Sequence, residues 1–160
     1  MSQIHRTLAC ILGLALTAPS ASLLAADHQH ADHKDHAPAK LQLDKGKKWP
    51  TDEALRKGMN SLRAGFAERI AAIHAGKLPA SEYQALGARV DAEVANIVTQ
   101  CKLEPKADAM LHLVVADLLA AAEVMQGKAQ GKPEAGAHKA VTALNGYGRY
   151  FDHPQWKPLK

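Results

Sequence analysis

Apolar residues fall three and four apart in four long stretches of this chain, the spacing that places them on one face of a helix. The first stretch, 52–75, carries Leu55, Met59, Leu62, Phe66, Ile70 and Ile73. Thr51 or Asp52 can cap its free amides, and Gly76 closes it. The second, 79–102, opens at Pro79-Ala80-Ser81-Glu82 and carries Tyr83, Leu86, Val90, Val94, Ile97 and Cys101. The third, 106–126, follows Pro105 and turns Met110, Leu111, Val114, Leu118, Ala121 and Met125 inward. The fourth starts at Pro133 and carries Ala137, Val141 and Leu144, and Gly146 and Gly148 either end it or admit a close neighbour. Four amphipathic helices on short loops predict an all-α fold, an antiparallel up-down-up-down four-helix bundle over residues 49–160.

Two segments before residue 49 break this pattern. Residues 1–26 have a basic start, an apolar stretch at 7–18 too short to span a bilayer, and small residues at Ala25 and Ala26. That is the pattern of a secretory signal peptide cut after Ala25 or Ala26, which predicts a periplasmic protein with no membrane segment after cleavage. Residues 27–48 are an arm and linker expected to be disordered. The stretch Asp27-His28-Gln29-His30-Ala31-Asp32-His33-Lys34-Asp35-His36 has almost nothing apolar to bury. Leu41 and Leu43 are too few to nucleate structure in the linker that follows.

Composition supports helices: aromatics make up 4% of the chain. The net charge of +4 is not clustered, and no basic stripe with interleaved aromatics points to nucleic acid. Of two cysteines, Cys10 lies in the leader, so Cys101 has no intramolecular partner in the mature protein. It is then a buried small hydrophobe, a link to another chain, or a ligand.

The candidate chemistry is metal binding. His28, His30, His33 and His36, with three aspartates among them, can wrap a borderline ion: copper, with nickel or zinc behind it. Cleavage after Ala25 would put His28 third in the mature chain. Its imidazole, two backbone amides and the free amine then make a four-nitrogen square suited to Cu(II) and Ni(II) and poorly suited to Zn(II). In the bundle, Met59, Cys101 and His112 fall at one pole with Met110, Tyr147 and His153, and together would make a soft Cu(I)-type site. The plainer reading keeps Met59 and Met110 as core, His112 as an edge residue and His153 as a surface turn residue before Pro154. Trp49, Tyr150, Phe151 and Trp156 would wall the same pole, while His74, Tyr83, Met125 and His138 gather at the other. No phosphate loop, Gly-x-Ser-x-Gly elbow or His-Glu-x-x-His motif occurs, so no enzyme is expected.

The single bundle, the export signal and the run Leu55-Arg56-Lys57-Gly58-Met59-Asn60-Ser61-Leu62 resemble the small periplasmic four-helix cytochromes of the b and c-prime types. The resemblance, over roughly residues 51–151, implies the bundle architecture and a haem held by a Met early in helix 1 and a His late in helix 4. Met59 matches the first position. Gly148 stands where the His belongs, leaving His153 or His112 as substitutes, and the Cys-x-x-Cys-His attachment signature is absent. The leading expectation is therefore a non-catalytic metal binder or buffer, with a haem electron carrier and a structural or partner-binding bundle as alternatives.

Overall fold

The computed structural model describes residues 40–160, and these hold five α-helices and no strand: α1 Glu53–Ala67, α2 Ile70–His74, α3 Ala80–Gln100, α4 Pro105–Met125 and α5 Pro133–Tyr150. The leader and the histidine-rich stretch lie outside the described residues. None of the described helices is long and apolar enough to cross a membrane.

The first helical stretch is not continuous, as its apolar spacing predicts, but divides into α1 and α2 at Glu68 and Arg69. The Arg69 amide donates to the Phe66 carbonyl at 3.1 Å, a tighter turn than the α-helical ladder allows. The Gly65 carbonyl released by that shift accepts from the Arg69 guanidinium at 3.2 Å, while Arg69 Nε holds Glu82 of α3 at 2.7 Å. The apolar face survives the break, since Phe66 and Ile73 are both fully buried. Gly76, at φ +63°, then closes α2 with paired bonds from Gly76 to Ile73 (3.0 Å) and from Lys77 to Ala72 (2.9 Å), a left-handed cap that glycine takes without steric cost.

Polar ties show how neighbouring helices run. Ser61 donates to Glu93 at 2.5 Å and Arg69 to Glu82 at 2.7 Å, so α1 and α3 are opposed in direction. Gln126 donates to Asp91 at 2.8 Å, and Cys101 shares a hollow with Asp108 and His112, which opposes α3 and α4. Lys139 lies 3.9 Å from Asp117, and Gly136 packs against the Ala121 carbonyl, which opposes α4 and α5. Helix α5 also meets α1, α2 and α3, closing the core. That core is the apolar stripe of each helix, from Leu55 and Met59 through Val90, Leu118 and Leu144. Met110 sits half-buried at its rim rather than inside.

Part of the expected linker is ordered. Asp44 and Lys47 exchange backbone bonds of 2.8 and 2.9 Å around Lys45 (φ 50°) and Gly46 (φ 84°), a tight turn with both central residues left-handed. Trp49 then pairs in parallel with Phe151, its amide donating to Tyr150 at 2.8 Å and its carbonyl accepting from Asp152 at 2.8 Å. The chain after α5 folds back over the helices. The Asn145 amide holds the Leu159 backbone by both its carbonyl (2.9 Å) and its N–H (2.8 Å), and Arg63 donates to the Lys157 carbonyl.

Candidate functional site

His28, His30, His33 and His36 lie outside the described residues, so the geometry concerns the pole that Met59, Cys101 and His112 were expected to share. Asp52 anchors it. One carboxylate oxygen caps α1 through the Leu55 amide at 2.7 Å, and the other accepts from the Lys102 amide at 2.5 Å, tying the start of α1 to the end of α3. Burial raises the Asp52 carboxyl, but the bonds from Lys102 and Leu55 outweigh it and hold the group below the usual carboxylate range.

Cys101 is the first residue past α3 and is half-buried. Burial, then the neighbouring Asp52 carboxylate, pushes its thiol up to about 12. A metal would therefore have to displace a firmly held proton from this sulfur. Cys101 and His112 line one hollow of about 180 Å³ with Ile97, Val98, Asp108, Leu111 and Val115. The His112 ring is exposed, its Nδ1 2.9 Å from the Asp108 carbonyl one turn back. Met59 does not border that hollow and is wholly enclosed in the core. The structure thus brings two of the three soft candidates together and leaves the third in the apolar interior. Among the described residues, no three His, Cys, Asp or Glu side chains converge as metal ligands.

The same pole holds an aromatic knot. His153 is not the surface turn residue its place before Pro154 suggests. It is 7% exposed, with Nδ1 2.9 Å from the Tyr147 hydroxyl. Burial, helped by the charge of Arg56, lowers the imidazole, and burial raises the Tyr147 hydroxyl. Both shifts favour a neutral pair in which the hydroxyl donates and Nδ1 accepts. Tyr147 stacks on Phe151 at 5.1 Å and meets Trp156 edge-on at 5.0 Å, and Trp156 lies 4.9 Å from His153. The cause is local: after His153 a turn, closed by the Trp156 amide on the His153 carbonyl at 3.1 Å, lays the indole over the bare α-carbon of Gly148. A methyl group at Gly148 would stand under 3.0 Å from the indole Cδ1 and Nε1. The residues at this pole accordingly do not fit a haem held between Met59 and position 148. Trp156 covers that position, and His153 Nδ1 is already engaged with Tyr147. The signs in the sequence were Gly148, read as a possible point of close approach, and the aromatic residues expected to wall this pole; the burial of His153 had none.

No family model, curated protein or solved structure matches this chain.

Proposed function

We propose that this protein is an exported, non-catalytic binder of a transition-metal ion, copper before nickel or zinc, carried in the periplasm. The observation that carries the reading is the density of ligands in one short stretch: His28, His30, His33 and His36 interleaved with Asp27, Asp32 and Asp35. Neutral imidazoles and carboxylates suit borderline ions, and little in that stretch competes for them by packing. The helical unit serves as its carrier, an up-down-up-down four-helix bundle in which α1 and α2 together form the first helix. The packed residues offer no comparable ligand set, because Met59 is enclosed and the Cys101 thiol keeps its proton.

The test replaces His28, His30, His33 and His36 with Ala in the exported protein and titrates Cu(II) and Ni(II) calorimetrically. Most of the binding should disappear while the helical circular-dichroism signal stays unchanged, since the four replaced residues are outside the described helices. Unchanged metal stoichiometry in that variant overturns the proposal.

A further inference from the structure

Of 20 Lys and Arg and 16 Asp and Glu, all but Arg6, Lys34, Asp27, Asp32 and Asp35 lie among the described residues, which leaves 18 against 13. That excess of five positive side chains looks unclustered along the sequence, and the fold gathers it at one seam. Lys40, Lys45, Lys47 and Lys48 lie in the segment before α1, and Arg149 lies in the last turn of α5. Lys157 and Lys160 lie in the tail after α5. Four contacts join these pieces. Leu41 lines a hollow with Arg149, and Lys48 Nζ donates to the Gly148 carbonyl at 2.7 Å. Trp49 pairs with Phe151, and Asn145 holds Leu159. The acids within the three pieces are Asp44 and Asp152, so the whole excess of five sits at the seam and the other described residues balance. Glu104 and Lys106, which share a hollow with Asp44 and Trp49, cancel each other.

The seven cations are exposed, and none lies within ion-pair distance of a carboxylate among the described residues. The negative end of the α5 dipole helps hold them together. The tight turn from Asp44 to Lys47 stands clear of the helices: a methyl group at Gly46 would meet nothing within 4 Å. Beside that turn Leu43 is 40% exposed, an apolar side chain set among lysines. We propose that this basic seam is a docking surface for an anionic lipid bilayer, met by the lysines of residues 40–48 and entered by Leu43.

Charge complementarity and Leu43 point to this partner. A bilayer rich in acidic headgroups attracts basic segments, and an apolar side chain that reaches the acyl boundary adds to the attraction. Single-stranded nucleic acid is held largely by bases stacked on exposed aromatic rings, and the nearby rings of Trp49 and Phe151 are buried. The proposal does not rest on the metal reading.

The test mixes the full exported chain, with a chelator present, with vesicles of phosphatidylcholine alone or of phosphatidylcholine and phosphatidylglycerol, and measures binding by sedimentation. The protein should bind the anionic vesicles at about 0.01 M salt, where charges act over about 30 Å, and leave them at about 1 M, where they act over about 3 Å. Replacing Lys40, Lys45 and Lys47 together with Gln should weaken binding about a hundredfold, at about fivefold per lysine. Leu43→Ser should weaken it less and leave the salt response intact. Lys77, Lys128 and Lys132 replaced with Gln remove the same charge away from the seam and should leave binding within about threefold of the parent, because attraction falls off within a Debye length. Circular dichroism should be unchanged in all three variants. No binding of the parent to anionic vesicles, equal losses in the two lysine variants, or tighter binding to duplex DNA than to the vesicles at the same salt overturns the proposal.

Discussion

Alanine at Gly148 and alanine at Gly146 should change stability in opposite directions, though the two positions are two residues apart in one helix. In an unobstructed helix interior, Gly→Ala gains up to about 1 kcal/mol from helix propensity. At Gly146 the new methyl finds only Leu41 Cδ1, at 3.9 Å, so that gain should be realised. At Gly148 the methyl falls inside the Trp156 ring, which cannot slide aside freely because Tyr147 and His153 flank it. Overpacking of this kind costs about 1–3 kcal/mol, which exceeds the propensity gain. The ceiling is full displacement of the indole. A buried aromatic covers about 150–250 Å², worth about 4–6 kcal/mol, and Trp156 is half-buried, so its loss is worth about half of that. Gly148→Ala should thus destabilise by about 1–2 kcal/mol and Gly146→Ala should stabilise, both read from urea midpoints at constant slope. In a Trp156→Ala background the Gly148 penalty should vanish, because the two changes share one contact. A Gly148→Ala protein as stable as the parent, or a penalty that persists without the indole, would refute the packing argument.

The buried His153 makes stability pH-dependent. Its folded-state pKa is depressed, so the unfolded chain takes up its proton first; stability is complete above about pH 6.5 and falls as the pH drops below it. Urea midpoints at pH 8 and pH 5.5 should show that fall, and it should be smaller in His153→Phe. With its thiol pushed up to about 12, Cys101 should react slowly with iodoacetamide at pH 8 in the folded, metal-free protein and much faster in urea; equal rates would contradict the enclosure. Asp52→Ala should cost about 0.5–2 kcal/mol for the lost helix cap, and should speed Cys101 alkylation by removing the neighbouring negative charge.

Local signals carried most of the helical layout. Pro105 and Pro133 begin helices, Gly76 and Gly127 follow helix ends in left-handed conformation, and the spaced apolar residues face the core. The division of the first helical stretch was not legible, since the stripe from Leu55 to Ile73 keeps its phase across it. The break coincides with the contact between Arg69 and Glu82, residues that only the folded pairing of the first helical stretch with α3 brings together. His153 misled for a similar reason. A histidine before a proline looks like a turn residue, and its burial depends on Trp156 finding the gap left by Gly148. Cys101 and His112 do share a hollow, as helix order suggested, but Met59 belongs to the core, because a stripe position gives the face of a helix and not what the neighbouring helices leave open.

The parallel pairing of Trp49 with Phe151 has a consequence for chain connectivity. Leu41 lines a hollow with Asn145 and Gly146, and Leu159 is held by Asn145, so both ends of the packed unit come to rest on the same turn of α5. Order along the backbone is then nearly arbitrary at that seam. A short peptide joining residue 160 to residue 40, with new termini opened in the exposed loop at Gly127–Gly131, would preserve every helix and every interhelical tie as a circular permutant. The same closure means that a load drawing the two ends apart meets the Trp49–Phe151 pairing and the Asn145 clamp before it reaches any helix.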